Sequence, residues 1–194
     1  MEKEEAVAVA TLAIGASHAD TIPTMFWHGV KARARKVIFR QKDFGIWKSI
    51  TWDELGRTAR EIGMGLASLG YEPGEVVSIL SNTRKEWVYA DLGALGAAGV
   101  VNGIYPTDAA AQVEYLLSDS GSVYVFVEDD EQLDKVLEVR ERLPKLRKIF
   151  VFDMEGLHEL DDPQVMSLES LRALGREYDA SHPVEWERRI GLRK

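Results

Sequence analysis

The chain is 194 residues long, 45% hydrophobic, carries a formal charge of −8 and contains no cysteine. That length suits one good-sized domain or a piece of a larger one, and the acidic balance argues against a nucleic-acid binder, which needs Lys and Arg clustered toward phosphates. Without cysteine there is no disulfide framework, no thiolate metal site and no Cys nucleophile, a composition that suits a reducing cytoplasm.

Residues 1–20 have an apolar stretch, but its front is acidic instead of basic and the run is too short to span a bilayer, so it reads as a partly ordered leader. A first helix is expected over 22–35, with Pro23 in its first turn, where a missing N–H costs nothing. The basic run KARARK at 31–36 is read as the solvated face of that helix in preference to a membrane or anion patch. The segment KVIFRQKDFGIWKSITW then alternates apolar and polar residues around Asp43-Phe44-Gly45, the pattern of a β-hairpin. Thr51 and Glu54 have capping-box spacing, and Leu55, Ala59, Ile62, Leu66 and Leu69 recur at helical steps until Gly70 and Pro73-Gly74 turn the chain.

Apolar, β-branched runs follow at 76–80, 99–105, 123–127 and 148–152, with helical segments near 84–98, 108–118 and 131–142. Strands so uniformly apolar are buried on both faces, and alternation with helices implies right-handed crossovers. The fold class is therefore α/β, an open and mostly parallel sheet with helices on both faces, preceded by a helix and a hairpin. The stretch 154–194 is polar and acidic, with one more amphipathic helix led by Ser167, and beyond Ser181 a charged tail is expected. No internal repeat or low-complexity tract occurs.

Four glycines, Gly93, Gly96, Gly99 and Gly103, follow the first of these strands and raise the question of a phosphate loop. Such a loop places its glycines between strand and first helical turn, yet the connection here is SNTRKE. The first three lie in or at the end of a helix and, with Ala90, Ala94 and Ala97, make a small-residue stripe for close packing of helix on sheet. GMGLASLG at 63–70 is a second decoy late in a helix. His18, His28, His158 and His182 lack metal-ligand spacing. Glu128, Asp129, Asp130 and Asp153 would lie on the carboxyl edge of the sheet, where they could hold Mg²⁺ as in a receiver-type protein; capping of helices near 130 and 155 is the favoured account.

The ordered series from GIWKSITWDELGRTAREIG through LGYEPGEVVSILSNTRKEW and IYPT to RLPKLRKIFVFD resembles the amino-terminal region of AMP-forming long-chain acyl-CoA synthetases of the adenylate-forming superfamily. The resemblance covers about 21 to 190. It implies that the complete enzyme joins a fatty acid to coenzyme A through an acyl-adenylate at the expense of Mg-ATP, whereas the Ser/Thr/Gly-rich phosphate loop, adenine pocket, magnesium-binding Glu and acyl tunnel of such enzymes come later in their sequence. No catalytic, cofactor-binding or metal residue carries over. Only IYPT, with Tyr105 and Thr107, is placed near the substrate region, and there similar enzymes often have proline shortly before the tyrosine, where Asn102-Gly103 stand. Thr107 is also expected to N-cap the helix containing Val113 and Leu116.

The resemblance implies residues 21–180 as an amino-terminal α/β subdomain, inactive alone, with 181–194 leading toward the catalytic region. Its partners would be fatty acid, CoA and the remainder of its own catalytic domain. Peripheral association with a membrane surface and a homodimer stay open at this stage. The alternative is a stand-alone binding or scaffolding module with the same fold.

Overall fold

A computed structural model describes residues 21–192; the leader and its His18 lie outside them. The elements are α1 (Ile22–Arg33), β1 (Val37–Asp43), β2 (Ile46–Thr51), α2 (Trp52–Ser68), β3 (Val76–Leu80), α3 (Lys85–Gly96), β4 (Val100–Ile104), α4 (Ala110–Ser120), β5 (Tyr124–Val127), α5 (Asp130–Val139), β6 (Lys148–Val151), β7 (Val165–Ser167), α6 (Leu168–Ser181) and α7 (Glu185–Ile190). β1 and β2 form an antiparallel hairpin, and β3 to β7 form a parallel sheet in the order β4-β3-β5-β6-β7. The expected α/β class and parallel sheet are what the chain adopts; β7, three residues long, is an addition that too short a run hides from any periodicity.

Alternation along each strand sorts the side chains onto two faces. Val77, Ile79, Tyr124, Phe126 and Phe150 point toward α2, α3 and α6, where Ile62, Leu66, Ala90, Ala94 and Leu171 complete one cluster. Leu80, Val125, Val127, Ile149 and Val151 point the other way, onto Val113 and Leu117 of α4 and Leu133 and Val136 of α5. The first face is aromatic: Tyr71, Tyr124, Phe150 and Phe126 run in sequence with ring centroids 5.8, 5.5 and 4.9 Å apart, spacings at which offset rings attract. A polar thread also crosses the sheet, Asn102 Nδ2 donating to Ser78 Oγ at 3.0 Å and Ser78 Oγ lying 2.7 Å from Ser122 Oγ, so the fully buried Ser78 is satisfied.

Helix α2 begins with the expected capping box: Glu54 N–H donates to Thr51 Oγ1 at 3.2 Å, and Thr51 N–H to the Glu54 carboxylate at 2.8 Å. It lies under α3, α6 and α7, and its glycines are steric. A Cβ on Gly175 of α6 would overlap the Glu61 carbonyl oxygen of α2, and one on Gly65 would meet the Leu171 carbonyl of α6. The glycine stripe of α3 is steric too, with a different partner from the one expected. Ala90, Ala94 and Ala97 join the sheet-facing cluster, whereas Gly93 admits Ile62 and Ala59 of α2, Gly96 admits Trp186, and Gly99 admits the Tyr71 ring.

The charged stretch beyond Ser181 does not run out as a tail. Glu185–Ile190 is helical, and Trp186 is fully buried between Gly63 and Gly96, beside Met64 and Trp27. Its charges also work inward. Arg189, 5% exposed, donates to the Tyr71 and Ala97 carbonyls at 2.8 and 3.2 Å and pairs with Glu185 at 2.7 Å, a cation at the carboxyl end of α3. Hydrogen bonds from Arg188 first and then Arg189 hold the Glu185 carboxyl down to about 2. Four charges in six residues hide a single aromatic anchor from a composition-based reading.

Two outcomes follow from this packing. Gly175→Ala forces α6 off α2 at a backbone contact, and an overpacking cost of about 3 kcal/mol is expected as a lower urea midpoint at unchanged slope. Asp91 of α3 is half-buried without a partner among the described residues, and burial alone pushes its carboxyl up to about 6. The raised value means that its contribution is fully present below pH about 4 and is lost as pH rises through 6; with solvent screening the loss is about 1 kcal/mol. Asp91→Asn should therefore raise Tm at pH 7.5 by more than at pH 4.5, measured by calorimetry at both.

Candidate functional site

In an open parallel sheet the place for a ligand is the carboxyl edge where successive connections leave in opposite directions. Here that point lies between β3, whose connection runs through α3 to β4 on one side, and β5, whose connection runs through α5 to β6 on the other. A side chain of the protein closes this crevice. Glu128, the residue after β5, accepts from Asn82 N–H at 2.6 Å and from Ser81 Oγ at 3.0 Å in the loop after β3, and from Arg84 Nη1 at 3.4 Å. Burial disfavours charge on Arg84, but its hydrogen bond to Glu86 and the charges of Glu86, Glu128 and Asp153 outweigh this and hold its pKa above the ordinary value.

The other strand-to-helix junctions on this edge are capped from within in the same manner. Lys85 N–H, at the start of α3, donates to Gln41 Oε1 of the hairpin at 2.9 Å. Ala109 N–H, at the start of α4, donates to Gln112 Oε1 at 3.1 Å. At α5 Asp129 accepts from Gln132 N–H at 3.2 Å, so the capping expected of this residue is what it does. Asp153 accepts from Glu155 N–H at 3.0 Å, in a turn instead of at the helix expected near 155. Free amide dipoles are what grips a phosphate, and at three junctions they are engaged. Among the described residues there is no group of three or more side chains able to hold a metal ion.

Beside the crevice an open cleft of about 440 Å³ lies between the loop after β3 and the end of β4, with Asn82, Thr83, Trp87, Gly103 and Tyr105 on its walls. Tyr105 is 77% exposed. Thr107 is exposed as well, but it is not the N-cap: Tyr105-Pro106-Thr107-Asp108 closes a turn, with Asp108 N–H donating to the Tyr105 carbonyl at 3.0 Å, and the cap position moves to Ala109. Proline at the second position of the turn favours this geometry over an immediate helix start. A second cleft, about 460 Å³, has Glu61, Glu86, Lys85 and Arg172 on its walls. Those charges are spent on one another, Arg172 pairing with Glu61 at 2.7 Å and Lys85 with Glu86 at 3.5 Å.

Of the histidines within the described residues, His28 and His158 are exposed, and His182 stacks on Tyr178 at 4.0 Å. Tyr105, which the resemblance singled out, lies on a cleft wall, and the sequence reading missed both Glu128 as the bridge across the switch point and Gln41 as the cap of α3. Each acts on a partner more than 40 residues away, at a distance no local motif reports.

The family model of AMP-binding enzymes matches residues 26–183. The long-chain-fatty-acid–CoA ligase FadD15 of Mycobacterium bovis is 32% identical over 142 residues, 73% of this chain and 24% of that protein. The long-chain-fatty-acid–CoA ligase ACSBG1 of Bos taurus is 29% identical over 133 residues, 69% of this chain and 18% of that protein. The chain thus spans about a quarter or less of the length of these relatives. Among solved structures, the anthranilate CoA ligase AuaEII in complex with anthranoyl-AMP aligns at a TM-score of 0.66 and 24% identity over 76% of this chain and 27% of that one. The A-PCP didomain of the carboxylic acid reductase from Segniliparus rugosus aligns at 0.71 and 14% identity over 86% and 28%. At that identity the likeness is one of fold, and the family rests on the sequence match: the chain belongs to the AMP-binding enzymes, an adenylate-forming family.

Proposed function

We propose that this polypeptide is the amino-terminal framework of an AMP-forming long-chain fatty acid:CoA ligase, and that it supplies scaffold instead of chemistry. In the complete enzyme the overall reaction is ATP, fatty acid and CoA giving acyl-CoA, AMP and pyrophosphate. The observation that carries the proposal is the Glu128 carboxylate on the Asn82 amide at the switch point of the sheet. An internal anion occupies the loop between β3 and the start of α3, where a phosphate would otherwise meet free amides, and a second anion there would meet like charge. The likeness to long-chain ligases over 73% of the chain supports the reaction class.

In this reading ATP, Mg²⁺ and CoA are held by later parts of the enzyme, and residues 21–180 are a subdomain whose sheet and helices support them. Tyr105 and Thr107 border the substrate region; the open cleft at the end of β4 supports this for Tyr105, which is on its wall, while Thr107 stands two residues further along the chain. The chain by itself then lacks the oriented dipoles and the metal on which phosphoryl and acyl-adenylate chemistry depends.

Pyrophosphate exchange tests this. With labelled pyrophosphate, Mg-ATP and saturated acids of 12 to 18 carbons, roughly the long-chain range, the 194-residue chain is expected to give background exchange. Exchange that rises with protein concentration and with the acid would sink the framework proposal.

A further inference from the structure

We propose that the hairpin β1–β2 and the basic end of α1 form a docking surface for an anionic lipid bilayer. This stands on geometry and charge alone and holds whether or not the ligase reading does. Between positions 31 and 50 the chain has seven Lys and Arg and one Asp, although the whole chain carries a charge of −8. Lys31, Arg35, Lys36, Arg40, Lys42 and Lys48 are all exposed. Lys48 pairs with Asp43. The others have no carboxylate partner among the described residues, in contrast to Arg172, Arg176, Arg188 and Arg189 at the far end of the chain, each of which is paired.

The tip adds apolar area to this charge. Phe44 is 100% exposed, Ile46 67% and Trp47 64%. Phe44 and Gly45 make the two-residue turn, with φ of 45° and 81°. Both central positions of such a turn require positive φ and favour Asn-Gly, so phenylalanine there is sterically costly and gains no burial in return. A large apolar side chain held in an unfavourable backbone region and touching nothing among the described residues points to an outside partner.

The hairpin's construction explains how the tip is presented. Phe39 and Ile50 bury its base against α1 and α2, and Gln41 fixes it to α3. Beyond that anchor Lys42 pairs across the strands with Trp47, and Arg40 with Ser49, placing tryptophan and two cations on one face. Tryptophan flanked by Lys and Arg, with a phenylalanine ahead of it, is the arrangement of an interfacial anchor: rings at headgroup depth and cations on the phosphates. A bilayer fits better than a protein groove, because the cations are spread over a helix end and two strands and match a diffuse anionic plane. The acidic remainder of the chain is repelled by the same plane, which orients the molecule tip first. No described helix is long and apolar enough to cross a membrane, so the attachment is peripheral.

The test is co-sedimentation of the 194-residue chain with vesicles of phosphatidylcholine alone or mixed with phosphatidylglycerol, read together with tryptophan emission. Binding to the mixed vesicles with a blue shift is expected, weaker by about tenfold at 0.5 M salt as screening removes the cation term. Phe44→Asn with Trp47→Ser should abolish the blue shift and cut binding at least about fivefold, while Arg35→Glu with Lys42→Glu removes the preference for anionic lipid. Asparagine suits the turn, so circular dichroism and Tm of the tip variant should not fall. Equal binding to both vesicle types, or full binding by the tip variant, overturns the proposal. Self-association in sedimentation velocity that the tip variant abolishes overturns it as well and assigns the tip to a second copy.

Discussion

The close approach of α2 to its neighbours is the constraint on which the other layers depend. Side chains at a helix crossing set how far apart the axes lie, and α2 and its neighbours give up side chains at their crossings. Gly175 faces the Glu61 carbonyl, Gly65 faces that of Leu171, and Gly93 receives Ala59 and Ile62. With α2 drawn in, one helix can cover the aromatic face of the sheet, carry Leu55 and Ala59 into the cluster beneath the hairpin, and leave a slot between Gly63 and Gly96 for Trp186. Ion pairs then tie the same elements at the surface. Arg60 of α2 reaches Asp179 at 2.8 Å and Glu187 at 3.1 Å, and Glu61 meets Arg172 and Arg176. Exposed pairs contribute little singly, so close packing carries the assembly and the charges fix its register.

That packing sets what the carboxyl edge can do. A sheet with the switch point of a nucleotide-binding fold has the shape for a phosphate site, and shape is not function. In this chain Glu128, Gln41 and Gln112 each engage one amide along that edge. The result is a rigid edge with an adjacent open cleft beneath Trp87 and Tyr105. The small-residue stripe at α3 is also filled from within: its glycines admit Ile62, Trp186 and the Tyr71 ring.

Legibility in the sequence followed the range of the interaction. The capping box of Thr51 and Glu54, the Ser167 cap and the apolar strands are written within a few residues, and each stands where the pattern places it. The alternation of Val77, Ile79, Tyr124 and Phe126 with Leu80, Val125 and Val127 yields buried runs whose two faces cannot be told apart until the helices are in place. Thr107 failed as a cap because Pro106 closes a turn first. The buried anchor Trp186 was masked by the charges around it, since Arg189 looks like surface until Tyr71 and Ala97 offer it carbonyls. Tyr105 was singled out through resemblance, and it stands on the wall of an open cleft. Glu128 was visible only as one acid among four, because its partners come from the loop after β3, four elements earlier.

Places where a chain breaks local rules without a return inside its own fold carry the most information about what lies outside it. The glycines of α2, α3 and α6 cost helix propensity and gain contact, so they are explained. Glu128 loses hydration and gains the Asn82 amide and Ser81 hydroxyl. Phe44 gains nothing: its ring is fully exposed and its backbone sits where asparagine or glycine is preferred. The unpaired cations behind it repel one another, a cost that the acidic body of the protein could have relieved by pairing and does not. Two independent penalties fall on a single hairpin, one steric and one electrostatic, and the proposed bilayer, apolar at depth and anionic at its rim, offsets both together.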